Sequence, residues 1–168
     1  MTDRPPLRCL IDDLNPEETF LVRSLRYWAT GKRDGSIAAW ATVWRLFHCA
    51  LGEADAAEAV SGFEATMAAI NRAACRTIHH HTPDCPCLDE DEVAIVRLVA
   101  ALAHGAVGEA RAIALGLVRP EGVAPLLAAA GALARSLIAA GYVPTLRAVV
   151  PLTPANRSLD PVVPRNLH

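Results

Sequence analysis

Helix start and stop signals recur along this chain so densely that little room is left for any strand. Asn15-Pro16-Glu17-Glu18 supplies an N-cap residue, a proline at the first helical position and two acids in the first turn. It opens a segment with Phe20, Leu21, Leu25 and Trp28 on one side, closed by Gly31. Asp34 or Ser36 starts the next, in which Ile37, Trp40, Trp44, Phe47 and Leu51 recur at steps of three and four until Gly52. Asp55 with Glu58 resembles a capping box and opens a third helix reaching about His79, with Val60, Phe63, Met67, Ile70, Ala74 and Ile78 inward. Asp89 and Glu92 repeat that start ahead of an apolar helix from Val93 to His104, stopped by Gly105. Gly108 to Val118 and Val123 to Ala140 complete the series. Strand-type alternation and hairpin turns are absent. The expected fold is all-α, a bundle of five to six helices over residues 1–141, followed by an extended Pro-rich tail over 142–168.

Composition supports packed helices. Hydrophobic residues are 52% and charged residues 20% of the 168, which excludes a disordered chain. Alanine fills 32 positions, and seven of the eight aromatic residues fall between Phe20 and Phe63. The later helices therefore pack through Ala, Leu and Val, whose small side chains let helix axes approach. Pro144, Pro151, Pro154, Pro161 and Pro164 forbid a long helix in the tail, which is expected to strap across its own bundle or a second subunit.

Charge is nearly balanced, 16 basic against 18 acidic residues, and the arginines are scattered, so nucleic acid is not an expected partner. The start, MTDRPPLRCL, lacks the apolar stretch of a signal peptide. The longest apolar run, Gly122 to Tyr142, is interrupted by Arg135 and reads as a helix buried by its neighbours. No membrane association is expected, and the expected compartment is the reducing cytoplasm, where cysteines are thiols or ligands before they are disulfides.

Chemistry concentrates in one stretch. Cys75-Arg-Thr-Ile-His79-His80-His81-Thr-Pro-Asp-Cys85-Pro-Cys87 holds six of the eleven Cys and His residues of the chain. Thiolate and imidazole are the ligands zinc prefers, four in a tetrahedron. On a continuous helix, Cys75 and His79 lie about 40° apart in projection, and Cys85 and Cys87 return from a proline-stiffened loop. The expected site is Cys3His zinc on Cys75, His79, Cys85 and Cys87. His81 is the alternative histidine if the helix survives that far, and His80 falls on the solvent side. An iron–sulfur cluster on the same ligands, or haem on the Cys85 thiolate, are the other cofactors this donor set allows. Without a metal, the cysteines pack as small apolar groups and the histidines end a helix, where they complement its dipole. Asp89, Glu90, Asp91 and Glu92 read as helix-start acids rather than ligands.

Other candidates have structural explanations. His48 lies in the apolar stripe of the second helix and is expected to be buried, while Cys49 and Cys9 lack neighbouring ligands in sequence. The Arg23, Arg26, Tyr27, Trp28 group and the Trp40/Trp44 pair pack between the first two helices or line an aromatic pocket. His104 ends its helix. No HExxH, zinc-deaminase, phosphate-loop or dinucleotide motif occurs. The expected function is a zinc-binding helical module that contacts a protein partner or a second copy of itself in a regulatory role. A thiol- or metal-based sensor is the alternative, and a zinc-dependent hydrolase ranks below both.

Overall fold

The computed structural model describes residues 10–145. Among them, a single 3-10 turn, Ile11–Asp13, precedes six α-helices: α1 (Pro16–Asp34), α2 (Ile37–Leu51), α3 (Glu53–Ala73), α4 (Glu90–Ala103), α5 (Val107–Leu117) and α6 (Pro120–Ala139). No strand forms among the described residues; two isolated antiparallel bridges, Leu10 with Cys87 and Ala74 with Val118, are the only extended pairings. The all-helical architecture is as expected. The Pro-rich tail beyond Thr145 lies outside the described residues.

Local chemistry explains most of the helix ends. Asn15 accepts a hydrogen bond from the Glu18 N–H while the Glu18 carboxylate accepts from the Asn15 N–H, the reciprocal box that satisfies two orphan donors. Asp89 and Glu92 do the same at α4, and Ser36 caps α2. Four of the start and stop signals are displaced. α1 runs through Gly31 and ends at Asp34, where Gly35 takes the left-handed φ of 63°. α3 begins at Glu53, two residues before the expected Asp55/Glu58 box, because Gly52 at φ 82° makes the whole turn between α2 and α3. Pro120 is the first residue of α6, three residues before the expected start at Val123. Most consequentially, α3 ends at Ala73 instead of running to about His79. There the Ala73 carbonyl accepts from the Arg119 N–H and the Cys75 N–H donates to the Leu117 carbonyl, so the backbone pairs with the α5–α6 corner instead of extending the helix.

α3 and α6 form the most extensive helix pair; α2 packs on α3, α4 and α5 pack on α6, and α1 lies against α2 and α4. Phe47, Leu98, Leu126, Leu133 and Leu137 are among the side chains sealed in the shared core, each worth roughly 1.5–3 kcal/mol of burial. Glycine permits a close backbone approach: a Cβ at Gly62 of α3 would lie 2.9 Å from the backbone nitrogen of Leu133 on α6. α6 is long and apolar enough to cross a membrane by length and composition, yet Leu126, Ala130, Leu133 and Leu137 are buried inside the bundle.

α2 turns a different face inward from the one its large residues mark. Ala39, Val43 and Phe47 are buried, whereas Ile37 and Trp44 are exposed. His48 is exposed as well, contrary to its expected burial. The helix is apolar on two sides, so size alone misassigns the phase. At the other end of the chain, Tyr142 packs edge-on to Phe20 at 5.4 Å between ring centres, and the Pro144 carbonyl lies 3.0 Å from His104 Nε2.

Candidate functional site

The Cys/His stretch is a loop, 74–89, laid over the end of the bundle between α3 and α4. Both its ends are tied by backbone. Ala74 and Cys75 pair with the α5–α6 corner, and the Pro86 carbonyl accepts from the Ile11 N–H at 2.8 Å. Its middle is held from beneath by a buried arginine. Arg26 of α1 is fully enclosed and spends each of its five N–H donors once. Nε donates to Glu92 Oε1 at 2.7 Å and Nη2 to Glu92 Oε2 at 2.9 Å. The other three go to loop carbonyls: Cys87 at 2.5 Å, Cys85 at 2.6 Å and Thr82 at 3.3 Å.

Glu92 is equally saturated. Besides Arg26 it accepts from the N–H of Asp89 at 2.9 Å and of His81 at 3.1 Å. One residue earlier, Asp91 accepts from Arg76 at 2.5 and 2.7 Å and from the His79 N–H at 2.8 Å. Burial pushes both carboxyls up, and the hydrogen bonds from Arg26 and Arg76, with those from the loop backbone, outweigh it, leaving both below their ordinary range. These acids therefore start α4 and also anchor the loop from two sides. Only the first role is visible in the local sequence pattern. A signal for the second existed, an arginine placed between Leu25 and Trp28 on the inward side of α1, and its bulk among apolar neighbours implied a buried counter-ion.

The four expected ligands share this loop without sharing a helix. Cys75 follows the end of α3 and its thiol donates to the Gly116 carbonyl at 3.6 Å. His79 is exposed with its backbone on Asp91, and Cys85 and Cys87 are half-buried free thiols. The angular ranking of His79, His81 and His80 has no helix to rest on, since all three lie beyond Ala73. Among the described residues, no three Cys, His, Asp or Glu side chains are grouped so as to hold a metal ion. Cys9 lies outside the described residues.

The loop instead forms one wall of a cleft of about 540 Å³, the other walls being α1, the end of α3 and Ile95 of α4. Leu25, Trp28, Met67, Ile70 and Ile95 make a buried floor, with Ile78 of the loop half-buried beside them. The polar lining residues are all exposed at the mouth: Lys32 and Arg33 from α1, Asn71 from α3, and Arg76, Thr77 and His80 from the loop. His80, which the sequence assigned to solvent, is thus the histidine at the cleft. Among the described residues, no carboxylate and no thiol lines it.

Lys32, the one lysine in the chain, stands 5.7 Å from the Trp28 ring centre and 5.8 Å from that of Trp40. Cation–π attraction to both indoles orients its ammonium. This arrangement depends on Gly31, where a Cβ would sit 2.5 Å from Trp40 Nε1. Arg33 and Arg76 already hold Asp34 and Asp91, whereas no carboxylate of the described residues pairs with Lys32.

Comparison with protein-family models, with curated proteins and with solved structures finds no match for this chain.

Proposed function

We propose that this protein is a ligand-binding regulatory module with no catalytic chemistry of its own, in which occupancy of the cleft is sensed by loop 74–89. The observation that carries this is the loop's double position: it walls an apolar cleft of about 540 Å³, within the ordinary size range of small-molecule sites, and it bears the Cys and His side chains. Among the described residues no carboxylate or thiol lines the cleft, and its one histidine, His80, has no carboxylate among the lining residues to orient it, which supports binding over catalysis. The protein partner or second copy expected from the sequence is, in this proposal, the recipient of the change in the loop. The test is saturable 1:1 binding of 1-decanol, an uncharged amphiphile, followed by tryptophan fluorescence and by hydrogen exchange over 76–81. Ala29→Trp, which fills the cleft from α1, is expected to abolish binding with the helical signal intact. Binding that survives this substitution overturns the proposal.

Zinc on Cys75, His79, Cys85 and Cys87 is kept as a second proposal. Its support is that all four side chains lie on one surface loop, where Cys85 and Cys87 are free thiols on either side of Pro86. It requires the side chains to draw together. Elemental analysis tests it: one zinc per chain, reduced in Cys85→Ser and Cys87→Ser and retained in His80→Ala, supports it, and equal metal content in all three rejects it.

A further inference from the structure

We propose that the cleft takes an anionic amphiphile, specifically a free fatty acid of medium chain length, with its carboxylate at Lys32 and its aliphatic chain on the Met67–Ile70–Ile95 floor. The proposal rests on the ligand-binding reading above and adds the chemistry of the ligand.

Polarity is sorted by depth. The floor presents aliphatic and thioether side chains with no hydrogen-bonding group except the Trp28 indole, and a methionine there adapts to a flexible chain. At the mouth every ionisable lining residue is basic or imidazole, and the two aspartates paired with its arginines, Asp34 and Asp91, are each neutralised by that contact. Charge also selects the carboxylate's position. Arg33 and Arg76 are each engaged by an aspartate, which leaves Lys32 as the cation of the cleft with no carboxylate partner among the described residues. Its ammonium is already oriented by Trp28 and Trp40, so less side-chain freedom is lost when an anion arrives.

The chain's C-terminal undescribed segment is a poor occupant by charge. Residues 146–168 carry Arg147, Arg157 and Arg165 against one acid, Asp160. That is the same sign as the mouth. A ten-carbon acid occupies less than half of about 540 Å³, so chain length is not limiting up to that size.

The full chain is titrated by calorimetry with decanoate, 1-decanol and decyltrimethylammonium, each below its micellar concentration, and with phosphatidylglycerol vesicles. Decanoate is expected to bind 1:1 about tenfold more tightly than 1-decanol, the effect of one charge-assisted contact, with the cation weakest. Lys32→Met is expected to erase the advantage of decanoate while leaving 1-decanol unchanged. Equal binding of all three overturns the anionic assignment and leaves the ligand-binding reading standing. Failure of all three overturns both. Binding to the vesicles without binding to decanoate assigns the surface to a membrane and also overturns the proposal.

Discussion

Arg26 and Glu92, 66 positions apart, meet side-on through two hydrogen bonds of 2.7 and 2.9 Å with both side chains shut off from solvent. A buried pair of this kind gains little net stability over an apolar pair of equal volume. Its consequence here is structural. The guanidinium carries the carbonyls of Thr82, Cys85 and Cys87, and the carboxylate carries the N–H groups of His81 and Asp89, so one ion pair fixes five backbone points of the loop.

Removing one partner leaves a buried charge and orphaned carbonyls. Arg26→Met is expected to cost about 3–5 kcal/mol in urea unfolding, with fast hydrogen exchange over 79–89. Glu92→Gln is expected to cost less, because the amide oxygen still accepts from one side. An Arg26→Met protein with unchanged stability and loop protection would show that the loop is held by something else.

Acid acts through the same groups. Asp91 and Glu92 titrate below their ordinary values of 3.8 and 4.5, burial being outweighed by the hydrogen bonds they accept. The unfolded chain therefore binds protons before the folded one as pH falls. Their contribution is complete above the unfolded values and is lost as pH drops through them toward the folded ones. Stability is expected to be level in this term from neutrality to about pH 5 and to decline below about pH 4. Denaturation midpoints measured across pH 3–7 check this, and the Asp91→Asn, Glu92→Gln double variant should flatten the acid limb.

Helix number and most caps were legible in the sequence because they are local: Asn15 with Glu18 and Asp89 with Glu92 need only each other. The end of α3 was not. Ile78 continues its apolar spacing, but Ala73 and Cys75 find partners at Arg119 and Leu117, more than forty residues on, and that pairing overrides the periodic signal. The candidate site was half legible. Cys75 to Cys87 marked the right segment, while what holds it, Arg26, and what opens beside it, the cleft of Trp28 and Lys32, arise only from tertiary approach.

Chelation separates two ways of holding that segment. A structural zinc supplies about 10–16 kcal/mol and its removal unfolds what it holds. Here the Arg26–Glu92 and Arg76–Asp91 pairs reach the loop from within the protein. EDTA is expected to leave the thermal midpoint and the exchange of 79–89 unchanged, whatever metal the thiols carry. A large fall in the midpoint would return the role of anchor to an ion.

Two glycine-to-alanine changes should move stability in opposite directions. Gly62 faces the backbone of Leu133, and its added Cβ at 2.9 Å from that nitrogen cannot be relieved by a side-chain rotation; α3 and α6 must separate. Gly62→Ala is expected to cost about 1–3 kcal/mol despite the better helix former. Gly131 lies within α6, and the nearest atom to its Cβ is Arg135 Nη1 at 3.5 Å, the far end of a flexible side chain. Gly131→Ala should therefore stabilise by about 0.5–1 kcal/mol through the reduced freedom of the unfolded chain. Urea midpoints of the two variants measure this directly, and a shared sign would mean that the α3–α6 contact is looser than the glycine spacing implies.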